Sequence, residues 1–225
     1  MVDAGEVHVA WMCGLPSVLR VDKRKPRIEL LAAPVMEGDR YDDRPIYFSD
    51  VVVRRDSDFH AFADLQGASW TYNEPGSHSG YNVVRHYLAT MCDTWEYFSR
   101  VVESGSHQAS LQMILEGEID ASAIDSTVLE LELERDPSIQ ERIRIIKTLG
   151  PRPIPPFVVR RDVPPGLREA VREALIGMDE TEAGRAVLAE GPVARFARVE
   201  DRDYDVIRRM AKRAIALDAP ATSEA

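Results

Sequence analysis

A polar turn, Asn73-Glu74-Pro75-Gly76-Ser77-His78-Ser79-Gly80, limits what this chain can fold into more than any other stretch. The aromatic run Trp70-Thr71-Tyr72 leads into it, and a helical pattern from Tyr81 to Ala89 leads out. Strand, polar turn and helix in that order place hydroxyls and unpaired backbone N–H groups at a helix N-terminus. Such a terminus attracts anions, because the free N–H groups and the helix dipole both favour negative charge there. An ordinary N-cap, with Ser77 or Ser79 satisfying its own helix, explains the same residues. Both readings stand at this point.

The same alternation recurs along the chain. Strands are expected at Glu6–Met12, Ile28–Ala33 (closed by Pro34), Tyr47–Arg54, Ala68–Tyr72, Arg100–Glu103, Ile119–Ile124, Ile143–Leu149 and Phe157–Arg160. Ser17–Arg20 reads as one helical turn, Gln108–Glu116 as a helix capped by Gly117, and Asp125-Ser126-Thr127 as the opening of another. Gly150 to Pro156 is expected to break a strand, and everything after Pro164 to be helical up to a frayed tail, Asp218 to Ala225. Strands alternating with helices argue for an α/β fold with mostly parallel sheets.

Composition closes off several function classes. The 225 residues allow a substantial core, and 44% hydrophobic with 29% charged residues suits a folded, water-exposed protein. A formal net charge of −10 argues against nucleic acid or an anionic membrane as partner, yet leaves room for a small anion held by local N–H groups. No apolar run reaches the length of a membrane span. Cys13 and Cys92 lack metal-ligand spacing and are expected as buried free thiols, so neither a metal nor a cofactor is expected. Met1 to Glu6 shows no secretory pattern, which places the chain as written in the cytoplasm; a signal further upstream would move it to the periplasm or cell surface.

Ala4-Gly5-Glu6-Val7-His8-Val9-Ala10 and Glu116-Gly117-Glu118-Ile119-Asp120-Ala121-Ser122 resemble each other, as expected if one α/β unit is repeated in two lobes. The second copy follows a strand and a helix, and the first does not. A leading strand–helix unit is therefore expected to be missing from the first lobe.

Three polar turns are candidates for one site: Ser77-His78-Ser79-Gly80, Ser104-Gly105-Ser106-His107 and Asp125-Ser126-Thr127. Loops of this kind gather beyond the carboxyl ends of strands in open α/β sheets. His107 either donates to an anionic oxygen or caps its own helix. His78 is expected to face solvent, Asp125 either to meet a protonated or amino group of a ligand or to cap a helix. His8 reads as structural, and His60 and His86 as surface residues. Trp11, Tyr47, Phe48 and Tyr72 either form a cage that shields a small ligand, with Tyr47 adding a phenolic hydrogen bond, or pack as core, and core is the expectation for each. Nucleophile elbows, Walker-type loops and His-Glu-x-x-His are lacking, and catalysis is not expected.

Trp70 to Asn82, Glu103 to Ser110 and Asp120 to Ser126 together resemble the phosphate/phosphite/phosphonate-type substrate-binding proteins of ABC transporters. Tyr47 to Val53 resembles that family's first inter-lobe crossing, and Pro155 to Val159 the return. The resemblance implies a two-lobed, type II periplasmic-binding fold, with mostly parallel sheets flanked by helices, that closes on its ligand. The lobes would run 1–48, 49–152 and 153–225, the first and last segments forming lobe I. Ser77, His78, Ser79 and Gly80 would hold a small phosphorus oxyanion, with His107 donating from the facing turn. Tyr47 would approach from the hinge side, Trp11 would be a further ligand contact, and Asp125 would meet the ligand's protonated or amino group. His78 stands where relatives often carry a small hydroxyl residue. The implied partners are an ABC permease and ATPase, and the implied state is a monomer. The competing expectation is a cytoplasmic enzyme of cofactor-biosynthesis type, or a ligand sensor, of the same fold.

Overall fold

The computed structural model describes residues 2–218, with side chains described as far as Ala214; the expected frayed tail beyond Asp218 lies outside the described residues. In chain order the elements are β1 (Val9–Trp11), α1 (Gly14–Val21), β2 (Ile28–Met36), β3 (Ile46–Arg54), β4 (Ser69–Tyr72), a π-helical turn (His78–Asn82) and α2 (Val83–Thr90). Next come β5 (Arg100–Glu103), α3 (His107–Glu116), β6 (Ala121–Asp125), α4 (Ser126–Arg135), α5 (Ile139–Arg142) and β7 (Ile143–Pro153). The remainder is β8 (Phe157–Arg160), α6 (Pro165–Ile176), α7 (Glu182–Ala189), β9 (Val193–Ala197) and α8 (Asp205–Asp218). Short 3-10 turns join several of these.

The chain divides into two units. The first comprises Met1–Tyr47 and Pro151–Ile207, the second Phe48–Gly150 and Arg208–Ala225. The last helix was expected with lobe I, yet from Arg208 on α8 belongs to the second unit. There Ala214 is buried and shares a small cavity with Arg85, Leu88, Ala89 and Trp95. An amphipathic helix shows which of its faces is apolar and not which unit will cover that face.

In the first unit the sheet order is β1-β8-β2-β9. Leu31, Val159 and Val163 pack under Val171 and Leu175 of α6, and Ala32, Leu188 and Phe196 form a second cluster. Strand β9 corrects the wholly helical expectation after Pro164. It is short and interrupted by Arg195, and its pairing with Ala33–Met36 of β2 is remote in sequence. Strand β2 likewise runs through Pro34 to Met36. Pairing with β8 ends at Ala32 and pairing with β9 begins at Ala33, so Pro34 sits where the strand changes partners and its missing N–H is not demanded.

In the second unit the order is β5-β4-β6-β3-β7. Strand β4 pairs in parallel with β5 and with β6, whereas β3–β6, β1–β8, β2–β8 and β2–β9 are antiparallel. The expected parallel pairing thus holds around β4, while these four pairs run antiparallel, because side-chain periodicity carries no strand direction. Strand β7 also continues through Gly150 and Pro151 to Pro153, past the expected break. The core joins Val52, Leu111, Ile114, Ile124, Leu129, Ile139 and Ile143. Beside it Trp70 stacks on Phe98 at 4.7 Å, and Phe62 meets Tyr87 edge-on at 4.7 Å. These aromatics fix α2 against β4. Neither thiol is buried as expected: Cys13 is half-buried and Cys92 exposed.

Candidate functional site

The parallel registers of β4 with β5 and β6 send the three expected turns to one edge of the second unit's sheet, beyond the strands' carboxyl ends. Tyr72 lies opposite Glu103, so the turns after β4 and β5 start level. Backbone bonds then join them, Ser104 N–H to Tyr72 O at 2.8 Å and Gly105 N–H to Asn73 O at 2.8 Å.

Each helix start has its own cap. Ser77 Oγ accepts from Gly80 N–H at 3.0 Å, Ser106 Oγ from Ala109 N–H at 3.0 Å, and Asp125 Oδ1 from Thr127 N–H at 3.0 Å. The ordinary capping role is therefore real for Ser77 and Asp125. It falls to Ser106 and not to His107 in the middle turn. After β4 the first turn of helix is widened, with Asn82 N–H reaching back to Ser77 O at 3.0 Å.

The two turns also meet through side chains. Ser79 Oγ lies 3.0 Å from His107 Nε2, and His107 Nδ1 is fully covered without a hydrogen-bond partner among the described residues. The residue as a whole is half-buried, but its Nδ1 is out of contact with solvent, and burial alone pushes its pKa down to about 4. His107 is thus a neutral imidazole near pH 7, with one donor and one acceptor nitrogen. Gly80 sits between the turns. A Cβ there would lie 2.1 Å from Asn73 Oδ1 and 3.1 Å from His107 Cε1, so only glycine fits without a shift.

His78 is fully buried and does not face solvent as expected. Its Nδ1 lies 3.1 Å from Asn82 Nδ2, one turn along the same helix. Asp125 is buried opposite Ser49 on β3. Burial pushes its pKa up to about 6, with repulsion from Asp50 adding and the Thr127 hydrogen bonds opposing. Ser126 Oγ, in the same turn, accepts from Phe48 N–H at 3.1 Å.

Trp11 and Tyr47 belong to the first unit. Trp11 is 58% exposed, contrary to a core position; its indole donates to Pro155 O at 2.8 Å and its ring stacks on Phe157. Tyr47 is buried, near enough to Arg152 for the two to interact electrostatically. His8 and His60 are exposed, and His86 is half-buried. Sequence reasoning passed over Asn73 as a side chain and Arg152 altogether. The close approach of Asn73 to Gly80 has no local signal, whereas Arg152 stood in plain view inside a proline-rich stretch.

Two α/β units, with chain crossings at β3 and β7 and polar strand-to-helix turns gathered on one sheet edge, define a type II periplasmic-binding fold. The chain belongs to the phosphonate periplasmic substrate-binding proteins of ABC transporters, whose sequence profile matches residues 1–204. It is therefore a solute-binding component, a family of transport and not of catalysis. Among solved structures it is similar to a binding-protein component of an ABC phosphonate transporter from Pseudomonas aeruginosa (TM-score 0.85, 19% identity, 96% of this chain and 72% of that one). A second is PhnD1 from Prochlorococcus marinus in complex with methylphosphonate (0.81, 18%, 93% and 79%). A third is a Xanthomonas citri protein bound to chloride (0.74, 17%, 96% and 80%). At these identities the likeness is one of fold. Among the described residues no helix is long and apolar enough to cross a membrane.

Proposed function

We propose that this protein binds a small phosphorus oxyanion, of the phosphonate, phosphite or phosphate class, for delivery to an ABC permease and its ATPase. The observation that carries the reading is the junction of two strand-to-helix turns through Ser79 and His107 at the carboxyl edge of the sheet. The helix start after β4 and the hydroxyls of Ser77 and Ser79 supply donors suited to a tetrahedral anion. Ser77 Oγ already accepts from Gly80, but its own proton remains available. Family membership and the methylphosphonate held by PhnD1 support the ligand class.

In this reading Gly80 lets the turns approach, and Asp125 meets a ligand O–H or amine. His78 orders the turn through Asn82 instead of touching ligand. The protein works as a monomer, in the transport role of its family. The periplasmic side of the membrane, the family's compartment, is where the role operates.

A thermal-shift panel of phosphate, phosphite, methylphosphonate, longer alkylphosphonates, sulfate and carboxylates tests this. A phosphorus oxyanion at 100-fold excess over its Kd is expected to stabilise by about 2.7 kcal/mol. No shift with any phosphorus oxyanion, or a larger one with carboxylates, would sink the reading.

A further inference from the structure

We propose that one end of the first unit docks onto an anionic lipid bilayer, through Lys23, Arg24, Lys25, Arg27 and Arg161 flanked by two exposed leucines. All of these residues belong to the first unit and none to the strand-to-helix turns of the second, so the docking stands apart from the oxyanion reading.

The net charge of −10 is not spread evenly. Residues 20–27, from the last turn of α1 to the start of β2, hold five cations against Asp22 alone. The fold adds Arg160 and Arg161 to them: Ile28 stands opposite Arg160 in the β2–β8 register, and Arg161 N–H donates to Arg27 O at 2.7 Å. This is the end of β1 and β8 remote from Trp11 and Phe157. Part of the charge is neutralised locally, Arg20 Nε meeting Asp3 Oδ2 at 3.1 Å and Arg160 pairing with Asp162. Lys23, Arg24 and Lys25 are exposed and enter no ion pair among the described residues. Arg27 and Arg161 are exposed too; Arg27 Nη1 donates to Asp3 O and Arg161 Nε to Ile28 O, which leaves further N–H groups on each guanidinium. The helix dipole accounts for Arg20 in the last turn of α1, but its pull falls off before Lys25 and Arg27.

Charge alone suits any polyanion; the leucines select the bilayer. Leu19, beside Arg20 in α1, is 59% exposed. Leu167, in the first turn of α6 after β8, is 54% exposed, and its neighbour Arg168 pairs with Glu29 at the start of β2. An exposed leucine gains nothing from a dissolved acidic chain that keeps its water, and gains by entering the boundary between headgroups and acyl chains. Lys23, Arg24 and Lys25 stand on successive bends between helix and strand, their side chains held by no hydrogen bond among the described residues. Unbraced cations fit a fluid array of headgroups better than the fixed bidentate geometry of a single acidic partner. Beyond a Debye length of about 8 Å the acidic remainder of the molecule is screened, so the local cations govern the encounter. Docked in this way, the protein stays on the surface in which its proposed permease sits.

Co-sedimentation with vesicles tests the docking, phosphatidylcholine and phosphatidylglycerol in equal parts against phosphatidylcholine alone. The protein is expected to sediment with the anionic vesicles and not with the neutral ones. Salt should release it as the Debye length shortens from about 10 Å at 0.1 M to about 3 Å at 1 M. Lys23→Glu, Arg24→Glu and Lys25→Glu together should lower partitioning about a hundredfold, since each basic residue near an anionic surface contributes about fivefold. Thermal unfolding of that variant should match wild type, because all three side chains are exposed and unpaired. Leu19→Ser with Leu167→Ser should weaken partitioning several-fold at unchanged charge. A control with the same change of charge at other exposed positions, Arg100→Glu, Arg135→Glu and Arg202→Glu, should keep wild-type partitioning. Equal losses in the two triple variants would overturn the proposal, as would equal binding to neutral vesicles or a leucine variant that partitions like wild type. Retention on immobilised polyglutamate without sedimentation on anionic vesicles would also overturn it, and would make the patch a site for a soluble polyanion.

Discussion

The turns after β4 and β6 start from the same sheet edge and end differently. After β6, Asp125 folds back on its own helix, accepting from both the N–H and the hydroxyl of Thr127, and the cap is closed on itself. After β4, Ser77 makes the equivalent bond, but the widened first turn turns Ser79 away from its own helix and toward α3. One turn satisfies itself; the other is completed by a residue 28 positions further on. The self-contained cap commits Asp125 Oδ1 to its own helix, whereas the turn tied to its neighbour holds a hydroxyl in place from two sides.

Titration is the sharpest way to separate the two turns. Asp125 has its folded pKa raised to about 6, above the ordinary 3.8, so it stabilises the fold below that ordinary value and the contribution is lost as pH rises toward 6. His107 has its folded pKa lowered to about 4 from 6.5, so its contribution is present above 6.5 and lost as pH falls toward 4. Each is worth about 2–3 kcal/mol across its window, with opposite slopes between pH 4 and 6. Urea unfolding at half-unit pH steps should show Asp125→Asn gaining stability relative to wild type as pH rises, and His107→Gln gaining it as pH falls. Difference curves of the same sign would break the contrast.

Gly80→Ala comes next in size. The new Cβ must displace Asn73 and press on His107, an overpacking cost of about 1–3 kcal/mol. Oxyanion binding should fall with it, because the two turns are pushed apart. A variant of wild-type stability and affinity would show that the close approach does not matter.

The smallest effects are the caps. Ser77→Ala and Asp125→Ala should each cost about 1 kcal/mol in chemical denaturation, the usual value of an N-cap. Ser77→Ala should weaken the anion more than Asp125→Ala does. Equal weakening by both would mean that the β6 turn is as much a part of the site as the β4 turn.

Local chemistry wrote the element ends into the sequence. Gly117 closes α3 in the left-handed region at φ 75°, Ser106 and Asp125 start α3 and α4, and β5 and β8 fall on the residues their apolar runs mark. Where a boundary depends on a distant partner, sequence reasoning fell short. Strand β9 exists through its pairing with β2, and β2 passes Pro34 because its partners change there. The burial of His78 and the exposure of Trp11 were also invisible, since both depend on which surface is covered.

The sequence by itself determined the alternation of strands and helices, the polar turn Asn73–Gly80 and the caps around it, because propensity, capping and glycine conformation act within a few residues. Only the tertiary structure decided that Ser79 reaches His107, that Asn73 occupies the space a side chain at Gly80 would need, and that α8 joins the second unit. The first and last join residues far apart in the chain through strand order and packing, and the second depends on how the turn folds back on itself.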